Sequence, residues 1–168
     1  MQRRTLLKLG TVSAAVLAVA GGAAALMSVG LHEGRLGPAG RDVFKAIGRA
    51  VLDHSLPRDG NLRQTALNSL LDRVDELTVA LPPHAQAELS QLLSVLASTP
   101  GRHLLAGLNE TWPLATEGQI RQALQGMRLS GLAMRQQAYA ALHDITAAAY
   151  FSDASTWSQL GYPGPVRI

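Results

Sequence analysis

Apolar residues recur along the chain at spacings of three and four positions, which is the period of an amphipathic helix. In the first such segment, Val43, Ile47 and Val51 fall on one face. Similar stripes follow, and the stretch near the C-terminal end is rich in alanine, a strong helix former. The predicted helices cover about 41–54, 63–80 and 84–97, a short piece at 103–108, and 116–150 with a break near Gly126 to Gly131.

Proline and capping residues separate these segments. Pro57 disfavours helical geometry at the residue before it, and Pro82-Pro83 ends one helix and starts the next. Thr116 and Gln119 have the spacing of a capping box. No alternating run of four or more residues predicts a strand. The sequence therefore predicts an all-α fold, a small bundle of about five helices after an N-terminal signal or anchor helix.

A long uncharged segment precedes these helices. Positions 9–31 carry no charge, and Arg3, Arg4 and Lys8 come before them. A basic start followed by an apolar stretch and small residues is typical of an export signal, and this stretch is also long enough to span a membrane. Cleavage after Ala25 and retention as a membrane anchor both remain open.

The basic and apolar residues at positions 3–8 follow a specific order. The sequence Arg3-Arg4-Thr5-Leu6-Leu7-Lys8 resembles the twin-arginine export signal, a route that carries proteins already folded. Arg3, Arg4, Leu6, Leu7 and Lys8 are therefore the candidate recognition residues of the signal.

The composition changes after the uncharged segment, which predicts a division of the chain. Residues 1–34 are predicted to be a signal peptide or signal anchor with its linker, and 35–168 a helical domain. Glycine and proline at the boundary predict a flexible joint. The joint contains Gly34, Gly37, Pro38 and Gly40.

Composition excludes several classes of function. The chain has no cysteine, so disulfides, thiolate metal sites and covalent haem attachment are excluded. Most of the net charge of +3 comes from residues 1–34, and aromatic residues are sparse, which argues against nucleic-acid binding. There is no phosphate-binding loop, no Gly-x-Ser-x-Gly and no pair of histidines at helical metal spacing. The sequence indicates no catalytic residue and no cofactor site on this chain.

Two clusters of charged residues have a plain structural interpretation. Asp72, Asp75 and Glu76 flank the apolar stripe of the second predicted helix, and we expect them to form a solvated helix face. Asp53, His54 and Asp59 surround a predicted turn, where charged residues on a surface loop are common.

Aromatic residues are concentrated at the C-terminal end. Tyr150, Phe151, Trp157 and Tyr162 lie within 13 residues, in a chain that has only two Trp, three Tyr and two Phe. Glycine and proline then prevent a continued helix, so the sequence predicts an extended, semi-rigid aromatic tail. Such a tail either covers the protein's own core or binds a partner. The candidate partner-binding residues are Tyr150, Phe151, Trp157, Gly161, Tyr162, Pro163, Gly164 and Pro165.

The tail carries a family resemblance. Tyr150-Phe151-Ser152-Asp153, Trp157 and the run Leu160-Gly161-Tyr162-Pro163-Gly164-Pro165 resemble the C-terminal signature of the gluconate 2-dehydrogenase subunit 3 family. The resemblance extends to the twin-arginine start and to Leu56-Pro57-Arg58-Asp59-Gly60, which is similar to the family's turn after its first helix. It covers both ends and one inner turn, and the middle agrees only as generic helices.

The resemblance implies an accessory role. Such subunits are non-catalytic and bind no cofactor themselves. They escort a folded, FAD-containing dehydrogenase large subunit of the glucose–methanol–choline type through the twin-arginine translocase, and a cytochrome c subunit often accepts the electrons. The expected location is the periplasm, associated with or anchored to the inner membrane.

Two other functions remain open. In the first, the chain is an inner-membrane-anchored helical structural protein. In the second, it is an independent periplasmic ligand-binding protein or enzyme. The second alternative requires a pocket with perturbed ionisable groups. The residues to inspect for it are His54, His103, Glu110 and Asp144.

Overall fold

The structure of the protein, a computed structural model, describes residues 30–164. The signal residues Arg3, Arg4, Leu6, Leu7 and Lys8 lie outside this range. The elements are β1 (Leu31–His32), β2 (Arg35–Leu36), α1 (Pro38–Val51), α2 (Gly60–Val79), α3 (Pro83–Ala97), α4 (Thr99–Gly101), a π-helical turn (Arg102–Ala106), α5 (Glu117–Arg128), α6 (Ala133–Phe151) and a 3₁₀ helix (Ala154–Leu160).

The all-α prediction is confirmed, although α1 and α2 each begin three residues before the predicted start. The Asp59 carboxylate accepts hydrogen bonds from the N–H groups of Asn61 and Leu62 and so caps α2. Thr116 and Gln119 form the predicted capping box at the start of α5. Among the described residues, none of the helices has the length and apolar composition that a membrane span needs.

Helix α1 lies at the centre of the bundle. Val43, Phe44 and Ile47 have no exposed surface, and α1 contacts α2, α3, α5 and α6. Its Gly48 allows α2 to approach closely, because a Cβ atom at this position would lie 2.6 Å from a methyl carbon of Leu70. The four surrounding helices therefore share one hydrophobic core that is organised around α1.

The predicted flexible joint is instead a fixed hairpin. Leu31 pairs with Leu36 across an antiparallel ribbon. Glu33 and Gly34 both have positive φ, of 51° and 78°, as a tight two-residue hairpin turn requires. Gly30 and Leu31 donate their N–H groups to the hydroxyls of Ser94 and Ser90 on α3, each at 3.0 Å. The predicted boundary between positions 34 and 35 therefore lies inside an element that packs on the domain.

A buried carboxylate holds this hairpin to the bundle. Asp75 of α2 accepts a hydrogen bond from the N–H of Leu36 at 2.7 Å and another from the Arg41 guanidinium at 2.7 Å. The prediction of a solvated face is wrong for Asp75, which is only 6% exposed. Asp72 keeps the predicted exposure and makes a longer, 3.1 Å contact with Arg41.

The connection between the π-helical turn and α5 is anchored by side chains. The indole N–H of Trp112 donates to the carbonyl oxygen of Leu96 at 2.7 Å in the core. Arg49 approaches the carbonyl oxygens of Trp112 and Ala115, each at 3.4 Å. These contacts hold the loop against α1 and α3 although it has no regular hydrogen-bond ladder.

Removing the charge of Asp75 should destabilise the protein. We expect Asp75→Asn to lower the free energy of unfolding by about 1.5–3 kcal/mol, because the variant loses the charged hydrogen bond with Arg41 in a buried setting. Asp72→Asn is the matched control and should cost less than about 0.5 kcal/mol, since its contact is solvent-exposed. Urea unfolding of both variants measures this difference, and equal losses would contradict the assignment.

Candidate functional site

The aromatic end of the chain divides between the core and the surface. Tyr150 lies within α6, is 3% exposed, and donates its hydroxyl to the carbonyl oxygen of Ser55 at 2.7 Å. It thus covers the protein's own core. Phe151 is the last residue of α6 and packs edge-to-face against Tyr150.

The segment after α6 is not extended as predicted. Residues Ala154–Leu160 form a 3₁₀ helix. Asp153 starts it by accepting a hydrogen bond from the N–H of Ser155 at 2.9 Å, and the indole N–H of Trp157 donates back to the carbonyl oxygen of Phe151 at 2.8 Å. These local bonds satisfy the backbone at the helix end and fold the segment onto itself.

The remaining tail residues stay at the surface. Tyr162 is 48% exposed and its ring lies 5.4 Å from that of Trp157. Gly161 and Gly164 have φ of 68° and 96°, which favours glycine at both positions. Pro163 is exposed beside them, and Pro165 lies outside the described residues.

Arg73 of α2 fixes the base of this tail. Its guanidinium donates to the carbonyl oxygen of Ala149 at 2.8 Å and pairs with Asp153 at 3.1 Å. Hydrogen bonds from Ser155, together with the charge of Arg73, hold the pKa of Asp153 below its ordinary value of 3.8.

An apolar groove, which we call the α3/α6 groove, lies between α3 and α6. Its volume is about 300 Å³. Glu88 carries the one charge among the described residues that line it. The lining comprises Leu81, Ala85, Glu88, Leu89, Gln91, Leu92, Val95, Leu105, Met134, Gln137, Ala138, Ala141 and Ile145.

The groove exists because α3 and α6 each turn a second apolar stripe away from α1. On α6, Met134, Ala138, Ala141 and Ile145 follow one another at three- and four-residue spacings. The sequence analysis assigned candidate residues to this helix only at Asp144, Tyr150 and Phe151, none of which lines the groove. Leu92 of α3 is half-buried and lines the groove. The spacing of this second stripe on α6 is visible in the sequence, but the sequence analysis did not recognise it as a candidate site.

Two exposed leucines are close in sequence to residues that line the groove. Arg135 of α6 donates to the carbonyl oxygen of Leu105 at 2.7 Å and so brings the π-helical turn to the start of α6. Leu104, within the π-helical turn, and Leu132, the N-cap of α6, are 77% and 62% exposed. Contiguous exposed apolar surface marks sites of protein or membrane interaction.

The charged clusters lie elsewhere. Arg63 bridges Asp53 and Glu117 at 3.2 and 2.7 Å, and Arg121 also contacts Asp53. Burial alone would raise the pKa of Asp53, but the hydrogen bond and charge of Arg63, with the charge of Arg121, keep it below 3.8. This network joins the end of α1 to α2 and α5.

The other candidate residues do not converge. Asp144 is exposed and contacts only its neighbour His143 among the described ion pairs. His54, His103 and Glu110 are absent from the groove lining. Within residues 30–164, no three His, Asp or Glu side chains are grouped so that they could hold a metal ion.

Comparison of the chain with protein-family models, with curated proteins and with solved structures gives no match.

The contacts of Asp153 lead to a prediction about acid stability. Because its pKa is lowered in the folded state, the carboxylate stabilises the fold above about pH 4, and this contribution is lost as the pH falls through the lowered pKa. We expect Ser155→Ala to raise the pKa of Asp153, so that the loss begins at a higher pH. NMR titration measures the pKa, and unfolding between pH 2 and 7 measures the stability.

The matched control is Ser152→Ala, because the hydroxyl of Ser152 donates to the carbonyl oxygen of Ala149 rather than to Asp153. An unchanged Asp153 pKa in Ser155→Ala, or an equal change in both variants, would remove Ser155 as the cause.

Proposed function

We propose that this protein is a non-catalytic accessory subunit that binds a folded FAD-dependent dehydrogenase large subunit and accompanies it through the twin-arginine translocase. The complex then works in the periplasm, at the inner membrane, with a cytochrome c subunit as a possible further member. This is the role implied by the resemblance of both ends of the chain to the gluconate 2-dehydrogenase subunit 3 family.

The observation that carries the proposal is the α3/α6 groove with its exposed leucines. A groove between two helices, lined by aliphatic side chains and small residues, accepts the apolar face of a partner helix. Leu104 and Leu132, which are close in sequence to the lining residues Leu105 and Met134, add exposed apolar side chains. A protein whose function is to bind another chain needs such a surface, whereas a catalytic site needs converging polar groups.

The aromatic tail supports the same role as a second contact. Trp157 and Tyr162 lie side by side, and Tyr162 presents half of its surface to solvent. Aromatic side chains of this type are enriched at binding hot spots. The hydrogen bond from Trp157 to Phe151 and the Arg73–Asp153 ion pair pre-organise them, which lowers the entropy lost on binding.

A charge in the groove should disrupt the complex. We expect Ala141→Glu to lower the yield of a co-purified large subunit at least about tenfold, equivalent to about 1.4 kcal/mol, because the new carboxylate would be desolvated near Glu88. The measurement is affinity purification of the tagged full chain from its own host, with flavin absorbance of the eluate.

The matched control is Ala140→Glu, the adjacent exposed alanine of α6, which does not line the groove. It should leave the yield unchanged, and circular dichroism should show equal helicity in both variants. Equal yields would exclude the groove as the docking site, and a colourless eluate without a second chain would overturn the proposed function.

The twin arginines should control the location of both proteins. We expect the double variant Arg3→Lys, Arg4→Lys to leave this chain and its large subunit in the cytoplasm, because the translocase recognises the arginine pair. Dehydrogenase activity in periplasmic and cytoplasmic fractions measures the effect. A large subunit that still reaches the periplasm in this strain would contradict the escort role.

A further inference from the structure

The lining of the α3/α6 groove contains one acidic residue and no basic one. Glu88 lines the groove together with aliphatic side chains and with Gln91 and Gln137, and no Lys, Arg or His is among the described lining residues. In the part of the chain that the structure describes, the carboxylate of Glu88 makes no hydrogen bond and no ion pair. Glu88 is exposed, so water hydrates this carboxylate while the groove is open.

A partner that covers the groove removes this water. Loss of hydration is strongly unfavourable for a carboxylate that gains no opposite charge, and it is tolerated when a cation pairs with the carboxylate. Glu88 therefore disfavours a partner helix whose contact face is entirely apolar. It favours a helix that brings a cation to this point of the groove.

The cations of this chain that lie nearest in sequence do not supply that charge. His84 is one helical turn before Glu88 on α3, but it is absent from the groove lining, and no hydrogen bond or ion pair within residues 30–164 joins the two. Arg135 is adjacent to the lining residue Met134, but its guanidinium donates to the carbonyl oxygen of Leu105 at 2.7 Å. The counter-charge for Glu88 therefore has to come from the partner.

Glu88 lies near the middle of the groove. The lining residues of α3 run from Ala85 to Val95, which at about 1.5 Å per residue is about 15 Å, or nearly three helical turns. Glu88 follows Ala85 by three residues and precedes Leu92 by four, so the three share one face of α3. The small side chains of Ala85 and Ala141 leave room in the lining for an aliphatic stem. Lysine and arginine combine such a stem with a charged head.

We propose that the α3/α6 groove binds a partner helix with one lysine or arginine among its apolar anchors, and that Glu88 pairs with this cation. The stem packs on the aliphatic lining, and the head meets Glu88 between the exposed amides of Gln91 and Gln137. The inference rests on the proposed function in one respect, since it takes the large subunit as the source of the helix. It adds the class of that helix, which is apolar at spacings of three and four with a basic residue near the middle.

Three synthetic peptides test this pairing against the full chain, which is made by cell-free synthesis. Each is an amphipathic helix of about 15 residues, or four turns, with leucines at i, i+3, i+10 and i+14 and one variable residue at i+7. The variable residue is lysine, norleucine or glutamate. Norleucine keeps the aliphatic stem of lysine and lacks its charge. Because the variable residue is central, the pairing does not depend on which way the peptide lies in the groove. Fluorescence anisotropy of labelled peptide measures the affinity.

The lysine peptide should bind at least about tenfold more tightly than the norleucine peptide, because only lysine compensates the carboxylate that is covered. We expect Glu88→Gln to remove this preference and Glu88→Lys to reverse it in favour of the glutamate peptide. The advantage of the lysine peptide should also shrink as salt is added, since salt screens a pair at the edge of an interface.

Two controls separate this pairing from general effects. Glu76→Lys makes the same change in net charge at an exposed residue of α2 that does not line the groove, and it should keep the preference for lysine. Ala141→Glu should weaken binding of the norleucine peptide at least about fivefold and Ala140→Glu should not, which assigns binding to the groove. Circular dichroism checks that all variants keep their helicity.

Each other outcome would overturn the inference. Equal affinity for the lysine and norleucine peptides, or equal effects of Glu76→Lys and Glu88→Lys, would exclude the pairing. Failure of all three peptides to bind would exclude a helix as the occupant, and displacement of the lysine peptide by phosphatidylcholine vesicles that also bind Glu88→Lys would assign the groove to lipid. Because the peptides replace the natural partner, this assay can fail while co-purification of a large subunit succeeds, and the reverse.

Discussion

The packing of the N-terminal part of the domain depends on one buried carboxylate. Asp75 accepts the backbone N–H of Leu36 and the guanidinium of Arg41, and so joins α2, the hairpin and α1 at one point. A buried carboxylate is tolerated only when hydrogen bonds and an opposite charge replace its hydration. This requirement fixes the register of the hairpin against the bundle.

The central position of α1 explains why the groove forms. The other helices pack around Phe44 and Ile47 of α1, and the most apolar face of each helix contacts this central helix. Helices α3 and α6 both pack against α1. The space that remains between α3 and α6 is filled only where their side chains are large enough. Ala85, Ala138 and Ala141 are too small to fill it, and the groove remains open.

The groove and the tail are built differently, and this difference supports separate uses. The groove is apolar, while the tail presents a small aromatic surface that is held by hydrogen bonds and by the Arg73–Asp153 pair. A partner that contacts both the groove and the tail would be recognised mainly by its shape and by aromatic contacts. The charged network around Asp53 instead stabilises the junction of α1, α2 and α5.

Periodicity and local chemistry in the sequence predicted the helices, but the starts of α1 and α2 were each placed three residues too late. Asp59, Pro83 and the Thr116–Gln119 pair act within one helical turn, so their effect does not depend on distant residues. The candidate site was less predictable. The sequence marked the aromatic tail residues as candidates, but the burial of Tyr150 depends on its contact with Ser55, which is distant in the chain.

Tertiary structure alone decided which apolar stripe faces the core and which remains open. Leu92 and Leu93 are adjacent in sequence and equally apolar, yet Leu93 is fully buried and Leu92 lines the groove. Asp72 and Asp75 likewise share a helix and differ in burial. Helical periodicity determines that such residues point in different directions, but only the positions of neighbouring helices determine what each direction meets.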